Sequence, residues 1–139
     1  MKKNLFISLL IFTLFSCNHK ISKESIAKIN GYWEIEKVVL ADGTKKEYKI
    51  NETIDFFEIK KNIGFRKKVT PQFDGKYLVN NAFENIKILT IDNKTFVQYK
   101  TNYENWKEQI IEVSDEKLIL ENDSSVVYHY KKPILFSVK

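Results

Sequence analysis

Between Gly31 and Lys131 the chain breaks into short segments in which apolar and polar residues alternate, and none carries a 3.6-residue apolar stripe over three turns. That period of two predicts strands near Tyr32–Leu40, Thr53–Lys60, Ile63–Val69, Lys76–Val79, Asn85–Ile91, Thr95–Lys100, Asn105–Val113, Lys117–Glu121 and Val126–Lys131. The joints are short and polar: Asp42-Gly43, Lys61-Asn62, Asp74-Gly75, Asp92-Asn93, Thr101-Asn102, Ser114-Asp115 and Asp123-Ser124. With four glycines and two prolines in 139 residues, the turns lean on Asn and Asp, whose side chains support tight backbone reversals. Consecutive strands joined this closely pair antiparallel. A single sheet of eight or nine such strands leaves exposed edges unless it curls and closes, so the expected fold is all-β, a small antiparallel up-and-down barrel. A two-sheet sandwich is the alternative. Aromatic residues make up 14% of the chain, enough to supply a core of large side chains without disulfides.

The N-terminus has a different character. Lys2-Lys3 precede an apolar run from Leu5 to Phe15, about 11 residues, where a membrane span needs roughly 20. Leu14-Phe15-Ser16 then lead into Cys17, the only cysteine. This arrangement resembles the lipobox of bacterial lipoproteins. The resemblance implies a signal peptide over 1–16, cleavage before Cys17, and acylation of that cysteine with palmitate-type chains. Cys17 is then neither a nucleophile, a disulfide partner nor a metal ligand. Residues 17–29 read as the acylated cysteine and a basic tether containing His19, Lys20 and Lys23. They also allow a short helical turn capped by Ser22, with Ile21, Ile26 and Ile29 available to lid a barrel end. The residue after Cys17 is Asn18 rather than Asp, which by analogy with known lipoproteins points to the outer membrane; His19-Lys20 in place of an acidic run favours its periplasmic face.

Gly31-Tyr32-Trp33, at the head of the first strand, resembles the G-x-W signature of lipocalins. Thr101-Asn102-Tyr103 resembles their second signature, T-D-Y, with Asn for Asp. Lys131 and Lys132, after the last strand, stand where lipocalins carry a basic residue over the signature tryptophan. A small lipocalin-like domain behind a lipobox is similar to many lipoproteins of Bacteroidetes-type bacteria. The resemblance implies a barrel over 30–133, a tail over 134–139, and a base built from Gly31, Trp33, Thr101, Tyr103 and Lys131. It also implies a small apolar ligand held inside. The ligand-binding candidates, by alternation, are Phe65, Tyr77, Tyr99, Trp106, Tyr128 and Tyr130, each of which core packing explains equally well.

Catalytic machinery is not legible. His19 lies in the tether, and His129 alternates with Tyr128 and Tyr130 onto the face it shares with Lys131. There is no H-E-x-x-H pattern, no EF-hand loop and no glycine-rich phosphate loop. The expectation is a protein that is not an enzyme, with no cofactor, no metal and no nucleic-acid partner. Most carboxylates, Asp55 and Glu84 among them, read as outward strand positions, whereas Glu108 shares a face with Trp106 and Ile110 and would mark a polar lumen. Lys60, Lys61, Arg66, Lys67 and Lys68 surround one hairpin, either as a solvated edge or as a patch for anionic headgroups or an acidic partner. Beside the ligand binder, the sequence admits a scaffold or accessory subunit of an envelope complex with a solid barrel.

Overall fold

The computed structural model describes residues 20–134. A short helix α1 (Lys23–Ala27) precedes ten strands: β1 (Gly31–Val39), β2 (Lys45–Glu47), β3 (Ile54–Lys60), β4 (Ile63–Pro71), β5 (Tyr77–Val79), β6 (Glu84–Ile91), β7 (Lys94–Lys100), β8 (Asn105–Val113), β9 (Lys117–Asn122) and β10 (Val127–Lys131). All pairings are antiparallel, in the order β10-β9-β8-β7-β6-β4-β3-β1-β2, with β5 on β4. Strand β10 also pairs with β1, Tyr130 opposite Ile35 and Tyr128 opposite Val38, so the sheet closes on itself. The barrel wall is eight strands, with β2 and β5 as additional strands beside it, and the two-sheet alternative is ruled out.

The turns explain the tight connectivity. Lys61-Asn62 (φ 52° and 65°) and Asp92-Asn93 (φ 50° and 61°) are two-residue links with both residues left-handed. This primed geometry matches the twist of antiparallel strands. Strand β2 carries no alternating apolar pattern; Lys45, Lys46 and Glu47 are all exposed, and the strand exists because it pairs with Lys37–Val39. Gly64 is required by packing, since a Cβ there would overlap the Glu58 backbone.

One end of the barrel is sealed. Trp33 is fully buried, its Nε1 donates to the Ile29 carbonyl at 2.7 Å, and Ile29 is itself fully buried. Ser22 caps α1, accepting from the Ser25 amide, and Ile21 and Ile26 pack on the core from that segment. Residues 21–29 therefore lie across the base rather than serving as a free tether. Asn30 binds them to the wall: its Nδ2 donates to the Ile59 carbonyl at 3.1 Å, and its Oδ1 accepts from the Ile59 amide at 2.6 Å. Gly31 enters β1 at φ 111°, a conformation that L residues avoid.

The cation over the plug is Lys132, whose Nζ lies 3.8 Å from the Trp33 ring centroid. This corrects the expectation for Lys131. Strand parity decides it: Tyr128 and Tyr130 point inward, so Lys131 points out, where it pairs with Glu34 at 3.6 Å. Lys132 is the next residue of inward parity. The expected base residues Thr101 and Tyr103 are also corrected. Antiparallel alternation puts the β7–β8 turn at the end opposite Trp33. Thr101 Oγ1 closes that turn by accepting from the Tyr103 and Glu104 amides, and Tyr103 is 93% exposed.

Candidate functional site

The interior has two halves. Toward the base it is apolar and dense, with Trp33, Phe57, Val97, Leu118 and Leu120 fully buried in one cluster with Ile86, Ile88 and Ile110. Toward the other end, the mouth, a buried charge cluster takes over. Arg66 on β4 donates to Glu84 across the strand pair, from Nε at 3.2 Å and from Nη2 at 3.1 Å. Its Nη1 lies 3.9 Å from Glu108, and its guanidinium sits 4.3 Å above the Tyr99 ring. Tyr99 in turn stacks on Trp106 with centroids 5.2 Å apart. Buried Asp55 is paired with the ammonium of Lys68.

The electrostatics follow from enclosure. Burial raises Glu108 above the usual carboxylate range, and Arg66 opposes the rise. Burial lifts the hydroxyls of Tyr99 and Tyr130 well above their ordinary value, keeping both neutral. For Arg66, burial opposes the charge, but the hydrogen-bonded Glu84 carboxylate and the Asp55 carboxylate outweigh it and the guanidinium stays protonated. The Tyr99 hydroxyl is fully buried near Glu108 without an aligned hydrogen bond. Arg66 thus occupies the space over Tyr99 that a cationic ligand would take. The cluster is an internally neutralised plug.

Four of the six expected ligand residues line the interior: Tyr99 and Tyr130 buried, Trp106 and Tyr128 packed against the core and half-buried. The other two are corrected. Phe65 faces outward in an aromatic band along the wall, 6.2 Å from Phe56 and 6.3 Å from Phe83 by ring centroid, with Phe56 4.8 Å from Tyr32. Tyr77 stacks on Tyr32 at 4.1 Å, again outside. The sequence shows two faces on β4 but reads them the wrong way round. The interior takes Arg66, and Lys68 shares its side of β4 while staying half exposed at the mouth, because Glu84, Glu108 and Asp55 on neighbouring strands compensate them. The available signal was Asp55 alternating with Phe57 and Ile59, and Glu108 with Trp106 and Ile110. Among the described residues, no group of His, Cys, Asp and Glu is placed to hold a metal. Cys17 lies outside the described residues.

An open cleft of about 250 Å³ lies on the outer wall, between the β4–β5 hairpin, the β2–β3 connection and the β1–β10 seam. Ile50, Pro71, Tyr77, Pro133 and Ile134 give it an apolar lining, and Lys49, Lys76, Lys131, Glu34, Asn51 and Gln72 complete it. Ile50 is 89% exposed and Ile134 81%, two apolar side chains open to water beside one cleft. Glu34 is already neutralised by Lys131, so Lys49 and Lys76 contribute charge without an ion-pair partner among the described salt bridges.

No model of a known protein family matches the chain. No curated protein matches it in sequence either. Among solved structures, it is similar to a lipocalin-like protein from Bacteroides uniformis ATCC 8492, with a TM-score of 0.47, 13% identity, and coverage of 76% of this chain and 99% of that one. An uncharacterised protein from Bacteroides eggerthii DSM 20697 gives a TM-score of 0.47 and 11% identity over 75% of this chain and 98% of its own. At that level the likeness says nothing about ligand or activity; the barrel description rests on this chain's own strand pairings.

Proposed function

We propose that this is a non-enzymatic envelope lipoprotein, anchored through Cys17 to the periplasmic face of the outer membrane, that binds a small amphiphile on the outside of its barrel. The ligand class is an apolar chain ending in a carboxylate or phosphate. The observation that carries this reading is the cleft beside Tyr77: apolar walls with two nearly bare isoleucines, and the Lys49 and Lys76 ammonium groups among its lining. The lumen is the weaker site, because its lower half is filled by side chains and its upper half by Arg66 with its own counter-charges. The apolar ligand expected from sequence is thereby moved from the interior to the wall.

Titration of the full chain with dodecanoate, followed by NMR shifts and calorimetry, tests this. Saturable binding that Ile50→Asp abolishes and Phe65→Ala leaves intact supports it. Binding lost in Trp106→Ala but kept in Ile50→Asp returns the site to the lumen. The second reading, a scaffold, is favoured by the aromatic band Tyr32–Phe56–Phe65–Phe83 on the outer wall, with the Lys67 ammonium 5.3 Å from the Phe65 ring centroid. Crosslinking in intact cells from Phe83, which is 49% exposed, should then return a stoichiometric partner.

A further inference from the structure

The base of the barrel is also where the chain arrives from its N-terminus. Lys20, the first described residue, lies three residues after Cys17, a stretch that spans at most about 10 Å of extended chain. Lys20, Ile21, Ser22 and Lys23 share one shallow cleft with Asn62, Ile88 and Thr90; Lys23, Ile26 and Ala27 share another with Ile59, Lys61 and Asn62. The incoming segment therefore runs beside the β3–β4 turn, on one side of the base.

That side is basic. Lys20, Lys23, Lys60, Lys61 and Lys87 are all exposed, and Ile63, 64% exposed, stands opposite Lys87 in the β4–β6 register. The acidic groups nearby are Glu24, Glu58 and, in the neighbouring β6–β7 turn, Asp92, so the lysines outnumber them. The β8–β9 turn holds the acidic residues Asp115 and Glu116, and Lys28 engages Asp115 at 3.6 Å. A positive sector with one bare isoleucine, entered by a chain whose Lys20 lies at most about 10 Å from Cys17, has the chemistry of a bilayer-contact face.

We propose that the sector formed by Lys20, Lys23, Lys60 and Lys61 docks on anionic phospholipid headgroups of the membrane that holds the acyl chains, with Ile63 entering the interface. The mouth then points away from the bilayer. This rests on the reading that Cys17 is acylated. A permanent anchor fixes distance, and the lysines fix orientation.

The test uses the acylated protein, beginning at Cys17, in vesicles of mixed phosphatidylglycerol and phosphatidylcholine, with a fluorophore at Ile63→Cys or, at the mouth, at Asn102→Cys. The expected result is quenching of the Ile63 label by a lipid-borne quencher, with the Asn102 label untouched. The quenching should be lost at high salt, and the docking equilibrium behind it should weaken by about fivefold for each lysine reversed in K20E, K23E, K60E and K61E. Co-flotation with the vesicles should persist throughout. Equal quenching of the two labels, deeper quenching at Asn102, or unchanged quenching in pure phosphatidylcholine overturns the docking face while leaving the anchor intact. Failure to co-float with phosphatidylcholine vesicles removes the acyl anchor, and the docking proposal with it.

Discussion

Each end of the barrel holds a cation over an aromatic ring, and the two serve opposite ends. At the base, Lys132 lies 3.8 Å from the Trp33 centroid above a plug of mostly apolar side chains. Toward the mouth, Arg66 lies 4.3 Å from the Tyr99 centroid but is bound by Glu84 and faced by Glu108. The base gains stability from apolar area, which needs no partner. The mouth half holds charges whose desolvation must be offset by one another, so its contribution to stability is small although its geometry is specific. A barrel that needed only to be stable would repeat the base at both ends.

The comparison breaks first at the tryptophan. Trp33→Ala should cost about 3–5 kcal/mol in urea unfolding, because a large ring is lost from a site that the Ile29 carbonyl and Lys132 hold in place. A cost below that of an exposed aromatic would mean the base is not the stability centre. Arg66→Ala comes next, at about 2–4 kcal/mol, since it strands Glu84 and Glu108 in a poorly hydrated interior. The combined change R66M/E84Q/E108Q should recover most of that loss, and failure to recover would show that Arg66 packs rather than neutralises.

Smaller effects sharpen the contrast. Lys132→Met should cost about 0.5–1 kcal/mol through the lost ring contact. Lys131→Met, at a half-exposed ion pair with Glu34, should cost less than about 0.5 kcal/mol. The reverse order in thermal melts would restore Lys131 as the base cation. Glu108→Gln gives the subtlest readout. The folded state raises its pKa above the ordinary 4.5, so the folded chain holds that proton more tightly than the unfolded one. The stability tied to that proton is fully present below pH 4.5 and is lost as pH rises through the elevated value. Unfolding free energy of the parent should decline over that window relative to E108Q, and parallel curves would show that Glu108 titrates normally.

Much of the fold is legible before any coordinates. The two-residue links Lys61-Asn62 and Asp92-Asn93 fall where turn chemistry places them, and the strand order follows from their shortness. Glu108, alternating with Trp106 and Ile110, announces a polar interior without naming its partner. Arg66 is the residue the sequence hides: inside a run of lysines it reads as surface, and only the pairing with Glu84 across two strands shows otherwise. The β7–β8 turn misleads in the same way, because a three-residue resemblance carries no information about which end of the barrel it occupies.

By itself, the chain determined its alternation, its turns and the presence of a large ring at the head of the first strand, all consequences of local sterics and a period of two. The tertiary structure alone decided which face of β4 turns inward, which lysine covers Trp33, and that the last strand returns to the first. Those outcomes depend on charge compensation and hydrogen-bond closure between residues far apart in sequence, which no local window contains.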